Sequence, residues 1–275
     1  MRERSSQSLI ECGLKCLREC PCSFYGYNPS LKKCRVHRRT FTSGMSEETG
    51  WRYYSPHHLP VDCKDLRNDG HTNTGVFEIY PFGNGSCPVR VYCDMDTMNG
   101  GWTAIQKRVD GSLTFEQNWT DYKNGFGAPE RNVWIGNDVI HQLTKGNNSS
   151  LYVSITLVNG TTLYELYNRF SVSDEAGKYR LFLAGPATGT LEDRMLNSLS
   201  SSADLSGMSF STQDRDNDGW STGSCASKWR GGWWMNACYD AFLNGPWAVE
   251  DWDEPWNPIM YGTSITGTMM LIKRL

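Results

Sequence analysis

F-S-T-Q-D-R-D-N-D-G-W-S-T-G-S-C-A-S-K-W-R-G-G-W-W-M-N-A-C-Y-D-A-F-L-N-G, residues 210–245, sets three alternating aspartates, Asp214, Asp216 and Asp218, ahead of a tryptophan-rich loop bounded by Cys225 and Cys238. Alternating carboxylates followed by glycine suit a hard cation that takes several oxygen ligands, Ca2+ rather than Zn2+. Asp214, Asp216, Asp218 and Gly219 fit the first half of an EF-hand loop, but the position of its bidentate Glu is held by Cys225, so that reading fails. The same spacing also fits an Asp/Asn-rich surface turn that holds no ion. An ion site beside a cystine-bounded aromatic loop is built for recognition, and nothing in it is a nucleophile.

Further motifs lie on either side of this segment. They are D-C-K-D-L at 62–66, V-Y-C-D-M at 91–95, G-G-W-T-A-I-Q-K-R at 100–108, F-E-Q-N-W-T-D-Y-K-N-G-F-G at 115–127, W-I-G-N-D-V-I-H-Q-L-T at 134–144 and D-E-A-G-K-Y-R-L at 174–181. In this order, from Val61 to Leu275, the chain resembles the fibrinogen-related domains of fibrinogen chains, ficolins, tachylectins, angiopoietins and tenascins. The resemblance implies an α+β fold, with a twisted antiparallel sheet and long loops. It also implies Ca2+ held by the side chains of Asp216 and Asp218 and by the carbonyls of Trp220 and of Thr222 or Gly223, with Asp214 in support. An acetyl-binding pocket would be lined by Trp229, Ala237, Cys238, Tyr239, Asn244 and Trp247, beside a cis Ala237–Cys238 bond. Two departures stand out. Tyr239 replaces the usual His, and the tail after Gly245 is short, so that Trp252, Trp256 and Tyr261 would have to complete the wall. Glu250, Asp251, Asp253 and Glu254 make this rim hospitable to neutral or cationic ligands.

Local pattern supports the fold class. S-I-T-L-V-N-G-T-T-L-Y reads as two alternating runs joined by a two-residue Asn159-Gly160 turn, and T-G-T-M-M-L-I-K as a last strand. D-V-I-H-Q-L-T is a short helix, and Trp102, Trp119 and Trp134 belong to the core.

Residues 1–54 hold half of the ten cysteines. Ser8 and Glu11 form a capping box, and Leu9, Cys12, Cys16 and Cys20 share one helical face. Pro21 ends the helix, and C-S-F-Y-G-Y and K-K-C-R-V-H-R read as strands around Asn28–Ser30. We read no strand before the helix. This order resembles a partial PAN/apple module, joined by residues 55–60 to the larger domain at 61–275. A generic cystine-stapled extension is the plainer alternative. The two resemblances imply the disulfides Cys63–Cys93, Cys225–Cys238, Cys12–Cys34 and Cys16–Cys22. Cys20 and Cys87 are left to pair with each other or to cross-link two chains.

Net charge is −3 and no basic run occurs, which excludes a nucleic-acid footprint, and no apolar stretch is long enough to span a bilayer. Cysteine content and sequons at Asn84, Asn118, Asn147, Asn148 and Asn159 point to a secreted glycoprotein. The opening M-R-E-R-S-S-Q has no signal-like apolar run, so we expect the natural chain to begin upstream of Met1. No G-x-S-x-G, H-E-x-x-H or phosphate loop occurs, which argues against an enzyme. Two functions remain. One is a calcium-dependent lectin of innate-immune type that binds acetylated glycans on microbial or host surfaces. The other is an extracellular protein-binding ligand or matrix component whose calcium is structural only.

Overall fold

The computed structural model describes residues 2–18, 24–37, 50–54, 59–83, 86–146, 148–247, 255–257 and 265–275. Cys20, Cys22, most of the 55–60 linker, Asn84, Asn147, the acidic residues 250–254, Trp252 and Tyr261 lie outside them.

The N-terminal unit packs helix α1 (Leu9–Arg18) on a sheet of order β1-β3-β2-β4, formed by β1 (Arg2–Ser5), β2 (Phe24–Asn28), β3 (Lys33–His37) and β4 (Arg52–Tyr54). At the start of α1 the Glu11 N–H donates to Ser8 Oγ at 3.1 Å, and Glu11 accepts from the Gln7 N–H at 2.6 Å. These bonds satisfy end donors that the helix itself cannot. Cys12 of α1 is bonded to Cys34 of β3, which ties the helix to the sheet, with 5.4 Å between their Cα atoms. Strand β1 corrects the expectation of no strand before the helix. Its R-E-R-S sequence has no apolar alternation, and Arg2 to Ser5 are recruited by pairing with Val36 to Lys33.

The larger unit contains, among the described residues, a nine-stranded antiparallel sheet. Its main path, β12-β11-β10-β13-β7-β6-β5, uses β5 (Gly75–Ile79), β6 (Val89–Asp94), β7 (Trp102–Arg108), β10 (Ser149–Leu157), β11 (Thr162–Val172), β12 (Leu181–Gly189) and β13 (Ile265–Arg274). The short strands β8 (Phe126–Gly127) and β9 (Val133–Trp134) attach beside β7. Strand β13 is central, between β10 and β7.

Alternation sorts the two faces. Leu151, Val153 and Ile155 of β10, Met270 and Ile272 of β13 and Ile105 of β7 enter the main core, together with Trp119, Trp134, Trp233, Trp234 and Phe210. The opposite face carries Trp102, Ala104, Tyr152 and Leu271 as a second, smaller layer. Trp102 is thus buried, but apart from the main core.

The β10–β11 turn differs from the expected two-residue type. Leu157 pairs with Thr161 through its N–H at 2.8 Å, and the Gly160 N–H reaches Leu157 O at 2.9 Å. Of the loop residues 158–160 only Gly160 has positive φ, +83°. This is the three-residue loop in which a type I turn is followed by a left-handed glycine.

Three further helices position the loops: α2 (Cys63–Asn68), α3 (Trp119–Asn124) and α4 (Asn137–Thr144). The Cys63–Cys93 bond ties α2 to β6, and α4 is tied to β11 where His141 Nδ1 donates to Val172 O at 2.8 Å. Cys16 and Cys87 are also disulfide-bonded, and no described cysteine is free. No helix among the described residues is long and apolar enough to cross a membrane.

Candidate functional site

The acidic loop is anchored at both ends. Asp214 Oδ1 accepts the Trp119 N–H at 2.9 Å and the Thr212 hydroxyl at 2.8 Å, which fastens the loop to the start of α3. Arg215 lies 3.9 Å over the Trp119 ring. Below it, Lys123 bridges Asp138 at 2.9 Å and Glu175 at 2.7 Å, and its hydrogen bond to Glu175 is the main reason that carboxyl is held below its usual range.

Asp218 is the loop's hub. One oxygen accepts the Trp220 N–H at 2.8 Å and the other the Cys225 N–H at 2.7 Å, so the carboxylate spans the turn into helix α5 (Cys225–Trp229). Burial raises the Asp218 pKa, the two amide bonds oppose that shift, and the facing Asp216 carboxyl adds to it. Asp216 is exposed, and among the described residues neither carboxylate has a Lys or Arg partner within ion-pair distance. Two facing carboxylates without a cation are the arrangement a divalent ion relieves. The described residues hold no group of three acidic, His or Cys ligands, so an ion here would need main-chain oxygens as well. Trp220, Thr222 and Gly223 follow within the same turn. Gly223 lies flat on the Trp220 indole, where a Cβ would stand 2.8 Å from the ring, and a Cβ on Gly219 would stand 2.5 Å from Asn236 Oδ1.

The second half of the loop returns through the Cys225–Cys238 bond, with 5.7 Å between Cα atoms, and the Ala237–Cys238 peptide is cis. The Ala237 N–H donates to Ser202 O at 2.7 Å and the Asn236 N–H to Cys238 O at 2.8 Å. Here Trp229 meets Tyr239 edge-on at 5.6 Å, and Tyr239 meets Phe242 at 4.8 Å. Lys228 lies 4.8 Å over Trp229 and 5.4 Å over Trp220. Ala237 is exposed, and Trp229, Cys238 and Tyr239 are half-buried. Together they form an aromatic platform next to the acidic loop.

Two expected pocket residues are placed elsewhere. Asn244 is fully buried, donating to Gly232 O at 3.0 Å and accepting from Gln106 at 3.4 Å. Trp256 is also buried, and its indole N–H donates to Glu192 O at 2.7 Å. Both side chains spend their polar groups inside the protein, so neither lines an open wall. Trp247 is half-buried over Arg108, at 5.0 Å, and packs on Gly111.

Sequence reasoning missed Phe242 and the buried pins. Arg108, 1% exposed, donates to Leu243 O at 3.0 Å and to Gly245 O at 2.6 Å, and Gln106 donates to Leu243 O at 3.0 Å. The central strand β7 thereby fixes the loop carrying the platform's far end. Gly232 donates to Tyr122 Oη at 3.0 Å and lies so close to that ring that no side chain fits.

The comparisons agree on one lineage. Residues 59–272 match the family of fibrinogen beta and gamma chains, C-terminal globular domain. Human fibroleukin is 40% identical over 207 residues, covering 75% of this chain and 46% of its own length. The chain thus spans about half the length of that relative. The fibrinogen-like globe domain of human ANGPTL6 superposes with a TM-score of 0.70 at 35% identity, covering 80% of this chain and 97% of that one. Lamprey fibrin D-dimer, complexed with the peptide ligand Gly-His-Arg-Pro-amide, superposes with a TM-score of 0.68 at 31% identity, covering 78% and 73%. The chain belongs to the fibrinogen C-terminal globular domain family.

Proposed function

We propose that this protein is a secreted, non-enzymatic binding module whose site, from Asp216 to Trp247, receives a short neutral or basic segment of an extracellular partner protein. The observation that carries this reading is the half-buried Trp229–Tyr239 pair, backed by the buried Phe242 ring, beside the Asp216–Asp218 pair. Aromatic faces supply contact area at low entropic cost. A related fibrin takes a short peptide containing Arg, and the kinship with fibroleukin and ANGPTL6 favours protein binding over the acetyl-glycan lectin reading. Tyr239 in place of His, and the burial of Asn244 and Trp256, further reduce the case for an acetyl pocket.

In this reading Asp216 and Asp218, with the carbonyls of Trp220 and of Thr222 or Gly223, would hold Ca2+, which would steady the turn and neutralise the carboxylates. The apple-like reading of residues 1–54 belongs to the same proposal, as an adhesive extension; the family match begins only at residue 59. Calorimetric titration with Ca2+ tests the site. One strong site lost in Asp216→Ala supports it, and unchanged binding in that variant overturns it. Loss of binding to immobilised Gly-His-Arg-Pro-amide in Tyr239→Ala, with calcium binding kept, would place the peptide on the platform.

A further inference from the structure

A second concavity lies on the flank of the sheet, between the end of α4 and the start of β12. It encloses about 330 Å3, at the lower end of the roughly 300–1,000 Å3 typical of small-ligand pockets. Val172 and Leu181 are buried in its floor, Phe182 stands 46% exposed on its wall, and His141, Lys145 and Arg180 line it with Ser171 and Ser173. No carboxylate lines it, although the chain carries a net charge of −3. None of these residues belongs to the Asp216–Trp247 site.

The cations here are available. Lys145 and Arg180 are exposed, and among the described residues neither side chain has a hydrogen-bond or ion-pair partner. The nearby carboxylates are already committed. Asp138 and Glu175 bind Lys123, and Asp174 accepts the Gly177 N–H at 2.9 Å. Because His141 is tied to Val172 O through Nδ1, its Nε2 is the nitrogen left for other partners. His141 in the last turn of α4 and Lys145 at its C-cap do complement the helix dipole, but that role does not extend to Arg180, which lies next to β12.

We propose that this cleft captures the C-terminal carboxylate of a peptide whose last residue is apolar. Lys145 and Arg180 supply charge-assisted donors for the carboxylate, and Val172, Leu181 and Phe182 take the adjoining side chain. A chain terminus suits the volume, because it sends only one strand out of the cleft, whereas an internal acidic residue would send two. The apolar floor of Val172 and Leu181 suits a hydrocarbon side chain better than a sugar ring, which disfavours a sulfated glycan. The proposal is independent of the calcium-site reading and would survive its failure.

The test is titration of the full chain, in Ca2+-containing buffer, with N-acetyl-phenylalanine and with its C-terminal amide, followed by amide-resonance shifts. The acid is expected to perturb Val172, Leu181 and Phe182 and to bind at least about tenfold tighter than the amide. Arg180→Gln and Lys145→Gln should each weaken the acid about fivefold or more, and Phe182→Ala should weaken acid and amide alike. All three residues are exposed, so the fold should persist. Equal binding of acid and amide overturns the proposal, as does absence of binding at millimolar concentration or tighter binding of a sulfated disaccharide at the same residues.

Discussion

Asp218 accepts the Cys225 amide at 2.7 Å, so its carboxylate fastens the acidic loop to the disulfide-bounded helix. Its neighbour Asp216 is exposed, and among the described residues its carboxylate accepts just the Asp218 N–H, at 3.2 Å. The two residues should therefore separate in a melting experiment. In chelator, Asp218→Ala is expected to lose about 1–3 kcal/mol, because two amides lose their acceptor, while Asp216→Ala stays near wild type. In millimolar Ca2+ both variants should fail to gain the Tm increase that ligand linkage gives the wild type. Equal melting of the two variants in chelator would contradict the assignment of Asp218 as the hub.

Arg108 predicts a second, longer-range effect. It pins Leu243 O and Gly245 O from inside the core and lies over Phe115 at 4.4 Å. Arg108→Met keeps the volume and removes the donors, so it should cost about 2–4 kcal/mol and loosen the 243–247 loop. Urea midpoints and hydrogen exchange of that loop check this. Unchanged exchange would mean the loop is held by packing alone.

Gly232→Ala should destabilise more than a typical surface change. Its new methyl meets the buried ring of Tyr122, whose hydroxyl also donates to Phe115 O at 2.6 Å and cannot swing away freely. An overpacking cost of about 1–3 kcal/mol is expected, and a Tm within a degree of wild type would refute it.

Glu165 gives the stability a pH dependence. It is 2% exposed, its Oε2 has no hydrogen-bond partner among the described residues, and burial, with the Asp193 charge second, pushes its carboxyl up to about 7. The folded value lies above the unfolded value of about 4.3, so the fold favours the protonated acid. This contribution is complete below about pH 4.3 and is lost as pH rises through about 7. Glu165→Gln should therefore gain on wild type between pH 5 and 8, by about 1–2 kcal/mol once partial solvation of the carboxyl is allowed for. A stability difference independent of pH would remove Glu165 as the cause.

Much of this architecture is written locally. The alternation of Leu151, Val153 and Ile155 and the S-x-x-E start of α1 are readable because neighbours in sequence decide them. The aspartate loop is readable for the same reason. What stays hidden depends on distant partners. Asn244, in F-L-N-G, has the composition of a surface turn, yet it is buried against Gln106, 138 residues earlier. Trp256 reads as an aromatic rim residue until Glu192 O takes its N–H. β1 is invisible because pairing with β3 alone makes R-E-R-S a strand. The turn type at Asn159-Gly160 escaped because the dipeptide serves both two- and three-residue loops.

The most direct test of the account is retention of the purified protein on two matrices, one bearing Gly-His-Arg-Pro-amide and one bearing N-acetylglucosamine, in millimolar Ca2+ and then in chelator. The account predicts retention on the peptide, weakened in chelator and abolished in Tyr239→Ala, with passage through the sugar. Calcium-dependent retention on the sugar, released by free N-acetylglucosamine and without retention on the peptide, would contradict it and make the protein a lectin.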